Sequence, residues 1–185
     1  MTASEHVLIL LSLIVSLGLA HLLNGIARLI HANDVRWSWL HGAWIVFILL
    51  LFIDFWISAW QLRLETDWNI WMVGFWVAMA TLLYLVAALA VPDKIPDSGM
   101  DLGVFHNVNR KRYLGLWIFT MTFAFAANLM LEGFAGANVI VALNVLCLAA
   151  AGFGRPLWLQ WAGTAGTGLL FAIYFATFMG NIQQF

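Results

Sequence analysis

The sequence predicts an all-α, polytopic transmembrane helical bundle of six spans with both termini outside. Three observations carry that reading. The first is composition: 64% of the 185 residues are hydrophobic and only 9% are charged, against roughly a quarter charged in soluble domains. The second is the length of the apolar runs. Stretches near the ~20 residues that cross a bilayer occur at about 6–30, 37–61, 69–91, 113–132, 138–153 and 157–179. The third is the placement of basic residues. Arg28, Arg36, Lys94, Arg110, Lys111, Arg112 and Arg155 fall on one side of these spans and only Arg63 on the other. The positive-inside rule then puts the first, third and fifth connections in the cytoplasm and both termini in the periplasm. The chain reads as one transmembrane domain, residues 1–185, with Trp and Tyr gathered near the span ends as an interfacial belt.

The first span lacks the basic region that precedes a cleaved signal segment and is read as retained. Its polar members His6, His21, Asn24 and Arg28 project within a sector of roughly 60° at 100° per residue, a stripe expected to face protein or a water-filled cavity. The second span carries His41 and Asp54 on faces about 140° apart, which predicts protein on two sides and a central place in the bundle. Short connections around Asn33, Thr66, Gly136 and Arg155 make successive spans antiparallel.

The long cytoplasmic connection, 92–112, has two parts. Pro92 to Gly99 is turn-rich. Asp101 then caps a short surface helix with Leu102, Phe105 and Val108 on one face. That helix leads into Arg110, Lys111 and Arg112, which are expected at the anionic lipid surface. The fifth span is the shortest. The sixth repeats small residues at Thr164, Gly168, Ala172, Ala176 and Gly180, a pattern that admits a closely packed helix.

The segments Ser4–Leu10, Gly18–Leu29 and the Asp-Leu…Asn-Arg-Lys-Arg-Tyr run into the fourth span resemble a group of small multi-pass bacterial membrane proteins. The resemblance covers mainly the first four spans. It implies a bacterial inner-membrane location and no particular activity.

Polar groups at membrane depth are costly and persist when paired or functional. An inner cluster consists of His21, Asn24 and Arg28 from the first span with His41 from the second. It is readable as structural glue, as a pocket for a quinone or lipid headgroup, or as a pair of axial imidazoles for haem b, with Gly18, Gly25 and Gly42 making room for a flat ring. An outer cluster consists of Glu5, His6, Asp54, Asn128 and Glu132. Asp54, His6 and Glu132 are the candidates for a proton path, and the same groups offer a nitrogen–oxygen metal site that no short motif specifies. Catalytic motifs and phosphate-binding loops are absent, and no soluble fold presents the basic residues to nucleic acid. The expected function is therefore that of an accessory subunit binding a small ligand, lipid or quinone within a membrane complex or homo-oligomer. A proton-linked carrier and a haem-binding electron-transfer subunit are the alternatives.

Overall fold

The computed structural model describes residues 3–96, 99–131 and 136–178. Among these residues six helices and two very short strands follow in order: α1 (Ala3–His31), β1 (Val35–Arg36), α2 (Trp39–Trp60) with a 3-10 turn at Gln61–Leu64, α3 (Ile70–Ala90), β2 (Met100–Asp101), α4 (Leu102–Leu131), α5 (Gly136–Phe153) and α6 (Leu157–Phe178). The all-α class is as expected, and each apolar run is a helix. Four of them, α1, α2 with its 3-10 extension, α3 and α4, are long and apolar enough to cross a membrane. α5 is apolar over a shorter stretch, Asn138–Phe153, and α6 dilutes its apolar residues with Gly163, Thr164, Gly166, Thr167 and Gly168.

The helix starts follow from side chains that accept hydrogen bonds from exposed first-turn N–H groups. The Ser38 hydroxyl accepts from the His41 N–H at 3.5 Å, and Asn69 Oδ1 accepts from the Met72 N–H at 2.9 Å. Asp101 Oδ1 accepts from the N–H groups of Gly103 and Val104 at 2.8 and 3.0 Å. The Asp101 cap is as expected, but the helix it opens is not short. It continues unbroken to Leu131, because Asn109-Arg110-Lys111-Arg112 contains no residue that stops a helix.

The chain divides into two compact units, 1–109 and 110–185, with the boundary inside α4. In the first unit α1 buries Ser4, Val7, Leu11, Gly18, Leu22, Gly25 and Leu29, a 3–4 spacing that makes a coiled-coil-like seam. A Cβ added at Gly18 would lie 2.8 Å from the Phe52 ring and 3.2 Å from the Tyr84 Cα, and one at Gly25 would lie 2.6 Å from Val91. Partners seven residues apart on both helices show that α1 and α3 run parallel, with α2 packing on both. The space beside Gly18 and Gly25 is thus filled by protein and leaves no slot for a flat ring there.

In the second unit α5 packs antiparallel on α6. A Cβ at Gly163 would lie 2.5 Å from the Cys147 carbonyl oxygen and 2.7 Å from the Ala151 nitrogen, and one at Gly166 would lie 2.7 Å from the Cys147 sulfur. The buried stripe of α6 is Gln160, Gly163, Thr164, Thr167 and Phe171, while Ala172 and Ala176 are exposed. Of the expected run of small residues, Thr164 is buried and Gly168 half-buried in this chain. A strict four-residue step advances 400° each time, so the run drifts around the helix, whereas a 3–4 alternation stays on one face. Gly180 lies outside the described residues.

The two strands, invisible in the hydropathy pattern, clasp the first connection to the third. β1 pairs parallel with β2, Val35 with Met100 and Arg36 with Asp101. Arg36 also lies 3.4 Å from the Asp101 carboxylate. At the corner, Gly99 has φ +88°, and a Cβ there would meet the Asp34 carbonyl oxygen at 2.5 Å. Gly99→Ala is therefore expected to destabilise the protein by about 2 kcal/mol through left-handed strain plus the clash. Thermal unfolding in detergent checks this, and an unchanged midpoint would contradict the clasp.

Candidate functional site

The clasp delivers two helices from one place. β1 leads into α2 through the Ser38 cap, and β2 leads directly into α4 through the Asp101 cap. His41 sits in the first turn of α2 and His106 at the second turn of α4. Their ring centroids are 6.0 Å apart at an interplanar angle of 66°, and Phe105 meets the His41 ring edge-on at 5.4 Å. Each imidazole is only 1% exposed. Neither Nδ1 nor Nε2 of His41 has a hydrogen-bond partner among the described residues. A polar atom buried without a partner costs roughly 1–3 kcal/mol, and edge-on ring contacts leave the nitrogens unsatisfied. His41 is therefore a buried imidazole whose hydrogen-bonding capacity the described residues do not meet.

The inner cluster expected from the sequence is distributed rather than gathered. His21 packs edge-on to Tyr84 of α3, with centroids 6.2 Å apart, and its Nε2 is shielded and without a partner. Asn24 and Arg28 are exposed, and the Arg28 guanidinium donates to the Pro92 carbonyl at 3.1 Å. His41 belongs instead with His106. The polar stripe of α1 lies about 100° around the helix from its buried seam; His6, Asn24 and Arg28 are exposed in this chain and His21 is half-buried.

In the outer cluster Glu5 and His6 are exposed, Asp54 is half-buried on α2 and Asn128 is exposed on α4. Glu132 lies outside the described residues. Among the described residues no three His, Cys, Asp or Glu side chains come together in a way that could hold a metal ion. A largely apolar groove of about 90 Å³ between α1 and α2 is lined by Leu8, Leu11, Val15, Phe55, Trp56 and Trp60 together with the Ser12 hydroxyl. That hydroxyl already donates to the Leu8 carbonyl at 2.7 Å.

Of the three residues expected at the lipid surface, Lys111 and Arg112 are exposed but Arg110 is turned inward. Its guanidinium donates to the carbonyl oxygens of Ala151 at 2.7 Å and Gly154 at 2.9 Å. These carbonyls belong to the end of α5, where the last C=O groups lack helical partners and carry partial negative charge. Further along the same unit, Asn144 Oδ1, Gln160 Oε1 and Thr167 Oγ1 are buried without hydrogen-bond partners among the described residues.

Sequence reasoning misses His106, the buried imidazole beside His41. The signal was present in Leu102, His106, Arg110 and Tyr113, four buried residues at helical spacing. Reading 92–112 as a loop with a short surface helix hid that periodicity.

The fold and site define an α-helical membrane protein with a buried imidazole pair where two helices begin. Comparison with protein-family models, curated proteins and solved structures finds no match.

Proposed function

We infer that this chain is a ligand-binding accessory subunit of a bacterial inner-membrane assembly, crossing the membrane six times with both termini in the periplasm. The bound group sits between His41 and His106 near the cytoplasmic surface. The observation that carries the reading is His41, fully buried with both ring nitrogens unsatisfied beside a second buried imidazole. The orientation rests on the seven-to-one distribution of basic residues. The β1–β2 clasp supports it, since the first and third connections share a side of the first unit. The exposed Asn24 on α1 supports an assembly partner or a second copy, because a polar side chain on a spanning helix is normally covered by protein.

A residue kept for binding is locally suboptimal for stability. In chelator-washed, ligand-free protein, His41→Leu is therefore expected to raise the unfolding midpoint, with a gain of about 1 kcal/mol from removing an unsatisfied buried group. A loss of stability of that size or more would show that His41 is structural and would contradict the ligand site.

A further inference from the structure

We propose that the His41–His106 pair is a two-ligand site for a monovalent soft cation, Cu(I). This rests on the ligand-site reading above and names its occupant. With an imidazole nitrogen about 2.0 Å from a metal, each ring centroid stands roughly 3.1–3.2 Å from it. With one nitrogen of each ring turned toward a shared ion, the centroid separation of 6.0 Å gives a wide nitrogen–metal–nitrogen angle of roughly 145° on that bond length. Four-coordinate tetrahedral sites of the zinc kind need a much smaller angle and two further ligands. None is at hand. Asp101, the carboxylate nearest in the chain to His106, is committed on one oxygen to the Gly103 and Val104 N–H groups and on the other to Arg36. No group of three or more His, Cys, Asp or Glu able to hold a metal assembles among the described residues.

Charge points the same way. Both candidate ligands are neutral as imidazoles, and each side chain is 1% exposed. The cost of burying an ion rises with the square of its charge, so a divalent ion without a carboxylate is far less favourable than a monovalent one. Imidazole is a suitable ligand for copper, and a low-coordinate d10 ion needs no room beyond the two nitrogens. A haem needs a flat slot, and the Phe105 ring occupies one side of His41. Binding displaces no proton from neutral imidazole, and the Arg36–Asp101 pair with the β1–β2 clasp holds the two helix starts at fixed separation.

The test is titration of the full-length detergent-solubilised protein with Cu(I), supplied anaerobically as its acetonitrile complex against bicinchoninate. The expected result is one equivalent retained by the wild type and by His31→Ala, whose exposed ring bonds only its own helix at Ala27. His41→Ala and His106→Ala should lose more than the ~10–100-fold in affinity that outer-shell changes cost. Equal retention by wild type and both variants, or no retention by the wild type, overturns the copper site, as does one equivalent of Zn(II) held in preference to Cu(I). If copper fails while His41→Leu still stabilises the ligand-free protein, the occupant is wrong and the ligand site stands. If both fail, the site itself falls.

Discussion

Replacing Arg110 with methionine is expected to cost about 3 kcal/mol of stability, the scale of losing two charge-assisted hydrogen bonds and leaving their acceptors unsatisfied. The guanidinium acts as a cap supplied from another helix: it reaches the Ala151 and Gly154 carbonyls at 2.7 and 2.9 Å, at the negative end of α5. Gln160 shares the Gly154 carbonyl only at 3.5 Å and cannot replace a fork that engages both oxygens. Arg110→Lys keeps the charge but loses the fork geometry, so it should recover part of the loss and not all of it. Lys111→Ala and Arg112→Ala, at exposed positions, should stay within about 0.5 kcal/mol of wild type while weakening association with anionic lipid. Chemical or thermal unfolding of the four variants in one detergent separates these roles. A tolerated Arg110→Met would mean the α5 terminus is satisfied by other groups.

Gly163→Leu is expected to be the most disruptive single change in the second unit. The first atom of the new side chain would fall 2.5 Å from the Cys147 carbonyl oxygen and 2.7 Å from the Ala151 nitrogen. These are backbone atoms of α5, which cannot turn aside as a side chain can. The helices must separate along the seam, with a loss of about 3 kcal/mol or more, at or beyond the top of the usual overpacking range. Gly74→Ala is the matching control, because nothing lies within 4 Å of its added Cβ. A helical glycine with open space around it gains roughly 0.5–1 kcal/mol on becoming alanine. Comparable behaviour of the two variants would contradict the α5–α6 contact.

The helices are legible in the sequence because hydropathy and length agree. The caps at Ser38 and Asn69 are found only in the structure. The α4 start is half legible: Asp101 reads as a cap, but the positive charges after it read as a membrane-surface signal when they also continue the helix. The clasp was not legible, since two-residue strands leave no periodicity and exist only because distant connections meet. Burial partners were the least legible. The glycines of α1 open space on one helix, but whether a cofactor or Phe52, Tyr84 and Val91 fills it depends on the other helices. The same limit moved His41 from His21 to His106. Sequence placed His41 near the inner end of its helix, while the parallel clasp decided which imidazole it meets.

The membrane placement underlies the whole account, and single-cysteine labelling tests it most directly. The only cysteine, Cys147, is first replaced by serine. Cysteines are then introduced at the exposed positions Thr66, Asp93 and Arg155 and probed in intact bacterial cells with a membrane-impermeant maleimide. Six spans with an external amino terminus predict labelling of Thr66→Cys from outside, and labelling of Asp93→Cys and Arg155→Cys only after permeabilisation. Labelling of Asp93→Cys in intact cells would contradict the orientation. Labelling of Arg155→Cys in intact cells, with Asp93→Cys still protected, would contradict the paired crossing by α5 and α6.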